Sequence, residues 1–203
     1  MRRALAALLL AGTLSACAPG GGNPIDVRPP DVDVDTPALR EVKARIGMED
    51  CAPGDGEPVE GGLPEVTLPC LGGGPDVELS ALRGPMVINL WQAGCVPCRE
   101  EMPALESFHQ QHADRVRVLG IDFNDVHPGR ALELAEDTGA TYPSIADPGG
   151  ELMTERAFAL ARRGIPVFLF LDADGLVAGQ AAGGVDSAAE VEDLVAEHLG
   201  ITL

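Results

Sequence analysis

Cys95-Val96-Pro97-Cys98 is the segment of this 203-residue chain best equipped for chemistry. Two thiols separated by two residues can close a disulfide across the first turn of a helix. A thiol at a helix N-terminus also meets unsatisfied backbone N–H groups, which favour its thiolate. In that arrangement Cys95 is the exposed nucleophile, and Cys98, one turn in, resolves the mixed disulfide. Other uses of the pair fit less well. Covalent haem attachment needs a histidine at position 99, which is Arg99. A structural zinc site needs two further ligands at matching spacing, and Cys51 and Cys70 stand nineteen residues apart. A copper-passing chaperone using the same two thiols is the alternative from outside catalysis.

The pair must sit where a strand hands over to a helix. Residues 86–91 form a short apolar run expected as a buried strand. Residues 97–112 suit a helix with Pro103 inside it, which predicts a kink. Further along, 116–123 and 167–171 read as buried strands, and 129–138 and 151–162 as helices. Asp174-Gly175 turns the chain into an outer strand near 176–181, and 187–199 is a closing helix. Before the thiols, 66–68 and 77–79 read as short strands joined through Gly72-Gly73-Gly74-Pro75. That turn lacks the Gly-Lys-Ser/Thr of a phosphate loop. The order β-α-β-α-α-β-β-α predicts an α/β layer architecture with helices on both sheet faces. Residues 18–50 have the breakers and acidic charge of a linker. A short helix is expected within it, capped by Thr36, opened by Pro37, and packed at the domain edge through Leu39, Val42 and Ile46.

The run from Asn89 to Pro103, including Trp91, Cys95, Cys98, Arg99, Glu100, Glu101 and Met102, resembles the signature of TlpA/ResA-like thioredoxins. These are extracytoplasmic thiol-disulfide oxidoreductases of the redoxin superfamily. The similarity covers about residues 63–200 and includes Gly120-Ile121-Asp122, Asp147-Pro148 and Gly164-Ile165-Pro166. It implies a thioredoxin fold: a central mixed β-sheet, helices on both faces and an N-terminal β-hairpin extension. It also implies that Pro166 is the cis-proline beside the active disulfide, that Ile165 offers its backbone to a substrate strand, and that Trp91 belongs with these substrate-binding residues. No cofactor and no metal are implied. The activity implied is reduction of exported proteins such as apocytochromes, fed by a membrane thiol-disulfide electron donor. Net oxidation of exported thiols is the alternative direction. A peroxidase would carry Pro-x-x-x-Thr/Ser-x-x-Cys before its cysteine, and this chain does not. Three departures stand out. Gly94 replaces a tryptophan, Val96 cannot donate a hydrogen bond to a thiolate, and Asn89 stands where cytosolic thioredoxins have a buried acid. The proton relay for Cys98 is therefore unassigned; Glu100 and Glu101 are nearby candidates, but they read first as exposed helix carboxylates.

Five cysteines leave three besides the catalytic pair. Arg2 and Arg3 followed by the 13-residue run 4–16 have the form of a signal peptide, too short to span a bilayer. The run ends Leu14-Ser15-Ala16-Cys17, which resembles the lipobox of bacterial lipoproteins and marks Cys17 for lipid attachment. The expected organisation is a signal peptide at 1–16, a lipidated linker at 17–50 and a thioredoxin-like domain at 51–203. The expected place is extracytoplasmic, lipid-anchored to the outer face of the cytoplasmic membrane. Cys51 and Cys70 are then expected as a structural disulfide, with a second electron-shuttling pair as the alternative. The net charge of −18 becomes −20 once Arg2 and Arg3 are removed. Such acidity argues against nucleic acid, whose phosphates call for Lys and Arg, and favours partners with basic patches. Asp172-Ala173-Asp174-Gly175 begins like a calcium loop, but the later ligands are missing and a hairpin turn accounts for it.

Overall fold

All six residues of strand β3 (Met86–Trp91) are buried, and their alternation sorts the core into two clusters. Val87 and Trp91 face one; Met86, Ile88 and Leu90 face the other. In the computed structural model, which describes residues 32–203, β3 is the centre of a five-stranded sheet. β4 (Arg117–Phe123) lies parallel to β3, with Asn89 opposite Gly120 and Trp91 opposite Asp122. β5 (Ser144–Asp147) adds in parallel to β4. On the other side β6 (Val167–Leu171) and β7 (Val177–Ala182) add antiparallel. Strands β1 (Thr67–Leu68) and β2 (Val77–Glu78) form the expected antiparallel hairpin. The α/β architecture with a mixed sheet agrees with the sequence reading. The signal peptide expected at 1–16 and the lipid site expected at Cys17 lie outside the described residues.

The two faces are covered differently. Helices α1 (Pro37–Ile46), α2 (Val96–His112), α3 (Pro128–Thr138) and α4 (Ala188–Leu199) all contribute to the cluster around Trp91. The opposite face carries the hairpin and three 3-10 turns, Glu151–Thr154, Arg156–Phe158 and Ala161–Arg163. These turns replace the α-helix expected over 151–162. Their buried residues, Leu152, Phe158 and Ala161, are spaced by multiples of three, the 3-10 period and not the α period. Glu155 between the first two turns is extended, which breaks any continuous helix. Strand β5 was not anticipated either. It is four residues long, and Ala146 N–H donates to Pro69 O while Cys70 bridges to Ile145, tying it to the hairpin.

Residues 32–50, expected as linker, are packed. Val34 and Met48 are buried in the helical-face core, so the boundary expected at 51 does not separate linker from domain among the described residues. The short helix is where its cap predicted: Thr36 accepts from Leu39 N–H, and Gly47 ends it in the left-handed region. Arg45 grips Glu136 of α3 through both its Nε and Nη2, each at 2.9 Å. Cys51 and Cys70 form a disulfide that joins the segment after α1 to the end of β1. The buried Lys43 reinforces this junction, its Nζ 2.6 Å from Gly73 O, 2.9 Å from Asp50 Oδ1 and 3.3 Å from Cys70 Sγ.

Two stability predictions follow from this packing. Replacing Cys51 and Cys70 together with serine should cost about 3 kcal/mol, the loop-closure entropy of a loop near 20 residues, read by urea titration with Cys95–Cys98 intact. Gly120 has no room for a side chain: a Cβ there would lie 2.2 Å from Ser144 Oγ and 2.7 Å from Trp91 Nε1. Gly120→Val should therefore destabilise by roughly 1–3 kcal/mol or more through overpacking, whereas Gly94→Ala, with nothing within 4 Å of the added carbon, should stay within about 0.5 kcal/mol.

Candidate active site

Strand β3 ends at Trp91, and the chain turns through Gln92, Ala93 and Gly94 into α2. Cys95 is the N-cap of that helix, its sulfur accepting from Cys98 N–H at 3.2 Å. Pro97 falls in the first turn, where a missing N–H breaks no helical hydrogen bond. The turn is held from below: Ala93 N–H donates to Asp125 Oδ2 at 3.0 Å, and His127 N–H to Asp125 Oδ1 at 2.8 Å. Asp125 is nearly fully buried, and no feature of its spacing marked it out in the sequence.

Cys95 and Cys98 form a disulfide, and their surroundings differ sharply. Cys95 is half-buried, Cys98 has no exposed surface, and Val96 between them is 67% exposed. Cys95 Sγ lies 3.7 Å from the carbonyl oxygen of Ile165, and the Ile165–Pro166 peptide bond is cis. Ile165 is partly exposed and Pro166 buried, so the accessible sulfur faces an open stretch of backbone just before β6. The structure thus brings Cys95, Cys98, Ile165 and Pro166 together. Trp91 belongs to the same core cluster as Cys98, against which Cys95 and Ile165 pack. Trp91 itself is fully buried, because odd-numbered positions of β3 point under α2. Cys51 and Cys70 belong to the hairpin junction, away from this turn.

Glu101 overturns its expectation. Expected as exposed, it is 1% exposed, and burial raises its carboxyl from an ordinary 4.5 to about 8, opposed by the hydrogen bond from Asn89. Asn89 Nδ2 donates to Glu101 Oε1 at 2.8 Å, while Oε2 has no partner among the described residues. A Cβ on Gly184 would sit 3.7 Å from that free oxygen and 3.8 Å from Pro97 O, so it lies just under the surface beside the disulfide. The signal was present in the helix period. Cys98, Glu101, Met102, Leu105 and Phe108 are buried together, and position 101 falls inside that i, i+3, i+4, i+7 stripe. Glu100, one residue off the stripe, is exposed.

Two further acids sit at the carboxyl ends of the neighbouring strands. Burial, then the charges of Asp125 and Asp147, raise Asp122 well above the carboxylate range. Burial raises Asp147 to about 6, although the N–H groups of Glu151 and Leu152 bond to it and oppose the rise.

Residues 59–180 match the AhpC/TSA family. The chain belongs to that family. It is 28% identical over 136 residues to the thiol:disulfide interchange protein DsbE of Pseudomonas fluorescens biotype C, covering 66% of this chain and 72% of that protein. It is also 28% identical over 89 residues to the thioredoxin-like protein YneN of Bacillus subtilis (strain 168), covering 43% of this chain but only 52% of that relative. A secreted Mycobacterium tuberculosis disulfide oxidoreductase homologous to Escherichia coli DsbE shares the fold, with TM-score 0.54 and 20% identity. That match covers 66% of this chain and 96% of the other.

A raised carboxyl makes stability depend on pH in a defined direction. Between about pH 4.5 and 8 the folded chain keeps the Glu101 proton that the unfolded chain releases, so stability falls as pH rises. The slope is at most about 1.4 kcal/mol per unit. Asp122 and Asp147 add slopes of the same sign. Glu101→Gln keeps the shape and the Asn89 contact without the titration. Urea melts across that range should show the variant gaining on the wild type as pH rises, with the two closest at the acidic end.

Proposed function

We propose that this chain is an exported thiol-disulfide oxidoreductase that reduces disulfides in other exported proteins, cytochrome c precursors among them. The reading rests on one observation above others: two sulfurs three residues apart differ in exposure, and the accessible one faces the backbone before a cis-proline. Membership of the redoxin-type family and similarity to a thiol:disulfide interchange protein support the same activity.

In the reduced protein Cys95 is the nucleophile, its thiolate favoured by the first-turn N–H groups of α2. It attacks one substrate sulfur; the substrate disulfide breaks, and the other sulfur leaves as a thiolate and is protonated. The Cys98 thiol then gives its proton to the Glu101 carboxylate and attacks Cys95 Sγ. That step frees the second substrate thiol and leaves the Cys95–Cys98 disulfide. Two electrons have passed to the substrate. Resetting reverses the roles: one thiolate of a donor dithiol on a membrane partner attacks Cys95, and Cys98 departs as a thiolate. The donor's second thiolate then attacks the donor sulfur of the mixed disulfide, releasing the Cys95 thiolate and leaving the donor as a disulfide. Glu101, with a carboxyl near 8 in the disulfide form, is protonated at neutral pH and returns the proton. A buried acid tuned near the working pH is suited to both directions.

The chain is tethered, on this reading, by lipid on Cys17 after cleavage of residues 1–16. The Leu14-Ser15-Ala16-Cys17 sequence supports this, and the acidic residues that follow would hold the domain clear of an anionic bilayer.

Three measurements test the proposal. Cys98→Ala should accumulate mixed disulfides with a disulfide-bonded protein substrate, and Cys95→Ser should accumulate none. Absence of adducts while Cys95 is still alkylated would defeat the catalytic assignment. Glu101→Gln should slow the Cys98-dependent step by roughly a hundredfold and flatten its pH dependence near 8, leaving Cys95 alkylation little changed. Palmitate labelling of the full chain should vanish in Cys17→Ala.

A further inference from the structure

The net charge of −18 conceals a local reversal beside the catalytic sulfur. Three clefts run in series across the Ile165–Pro166 loop, each sharing wall residues with the next. The first is bounded by Gln92, Asn124, Arg162 and Arg163, and shares Arg163, Gly164 and Ile165 with the second. The second is walled by Pro97, Leu160 and Pro166, and shares Ala182, Gly183 and Gly184 with the third. The third is bounded by Glu190, Asp193 and Glu197 of α4.

Charge is segregated along this line. The first cleft has two arginines and no carboxylate in its walls; the third has three carboxylates and no cation. The middle cleft, apart from the shared Arg163, is lined by apolar side chains and glycine backbone. Arg162 is fixed in place by the carbonyl oxygens of Met153 and Glu155, which do not neutralise it. Arg163, Asp193 and Glu197 are exposed and have no ion-pair partner among the described residues.

We infer that this groove reads charge polarity. It accepts an extended segment of an exported protein whose reducible cysteine lies over Pro166, with a carboxylate side chain on the Arg163 side and a cationic side chain on the Asp193 and Glu197 side. The inference rests on the reductase reading of the same site. A uniformly basic segment, which the net charge alone would favour, meets Arg163 at one end. A bipolar segment satisfies both ends and leaves the backbone of Ile165 free to pair with it. Exposed charge pairs contribute little each, so selectivity and not tight binding is the expected outcome.

The test uses the reduced full-length protein and short synthetic peptides carrying one cysteine as a mixed disulfide with thionitrobenzoate. Cys95 attacks the peptide sulfur and releases the coloured thiolate; Cys98 then releases the peptide thiol and closes the protein disulfide. Four peptides are compared: acid before and base after the cysteine, the reverse order, all-acidic and all-basic. Rates for each protein are divided by its own rate on neutral bis(2-hydroxyethyl) disulfide. One bipolar order should exceed the other and both uniform peptides by about threefold to tenfold at low salt, and the advantage should shrink at high salt. Arg163→Glu should abolish that preference and raise the all-basic peptide relative to the rest. Asp193→Lys with Glu197→Lys should abolish it and raise the all-acidic one. Equal rates for the two bipolar orders, or a preference untouched by both charge reversals, would overturn the inference while leaving the reductase reading in place. Failure of the wild type to reduce the neutral disulfide would instead remove the reductase reading, and the inference with it.

Discussion

Two sulfurs three residues apart must live in different environments, one open to a partner and one closed to it, and most of this fold serves that requirement. A helix N-cap satisfies it with little adjustment. Cys95 stands outside the first turn and caps Cys98 N–H, whereas Cys98 lies on the stripe that α2 buries with Met102 and Leu105. That stripe is buried only because β3 runs through the middle of the sheet, with Val87 and Trp91 offering an apolar floor. Trp91 in turn fits only because Gly120, on the adjacent strand, carries no side chain. The position of the reactive sulfur thus traces back to a glycine on the neighbouring strand.

The same burial places stability and reactivity in conflict at Glu101. An ionised carboxylate in this position loses its water, and Asn89 satisfies only one of its oxygens. Protonation is the less costly state for the disulfide form at neutral pH. A glutamine would fold at least as well, so stability alone does not explain an acid here; the proton exchange with Cys98 that we propose would. The acids at the strand ends are of another kind. Asp125 holds Ala93 N–H, and Asp147 accepts from the N–H groups of Glu151 and Leu152. They fix the loops that frame the site.

What was legible in the sequence was local. The Cys95 and Cys98 spacing, the cap at Thr36 and the Asp172 to Gly175 turn each depend on neighbours within a few residues, whereas Pro166 was legible only through the family resemblance. Asp172 Oδ1 does accept from the N–H groups of Asp174 and Leu176, as such a turn requires. Features that depend on distant contacts were lost. Strand β5 is four residues that pair only because β4 and the hairpin lie beside them. The segment at 151–163 has enough apolar residues for a helix, but it buries Leu152, Phe158 and Ala161 at a three-residue spacing. The burial of Trp91 is legible in strand alternation, which puts it on one face with Val87. Glu101 is the reverse case: its charge suggests exposure, whereas the helix period places it on the buried stripe of α2.

Charge illustrates how far a whole-chain property can carry an argument about a site. At physiological ionic strength a field fades over about 8 Å, so the −18 of the chain steers an approaching partner and then gives way to the side chains it touches. Those side chains have separate reasons to be where they are. Glu190 sits in the first turn of α4, accepts from Asp186 N–H, and complements the positive end of the helix; an acid there is explained without any substrate. Arg163 has no such structural duty. It has no ion-pair partner among the described residues, ends a 3-10 turn on the face opposite the α-helices, and directly precedes Gly164-Ile165-Pro166. An exposed cation that does nothing for the fold, in a chain with more than twice as many acids as bases, carries more information about the partner than the whole excess of negative charge.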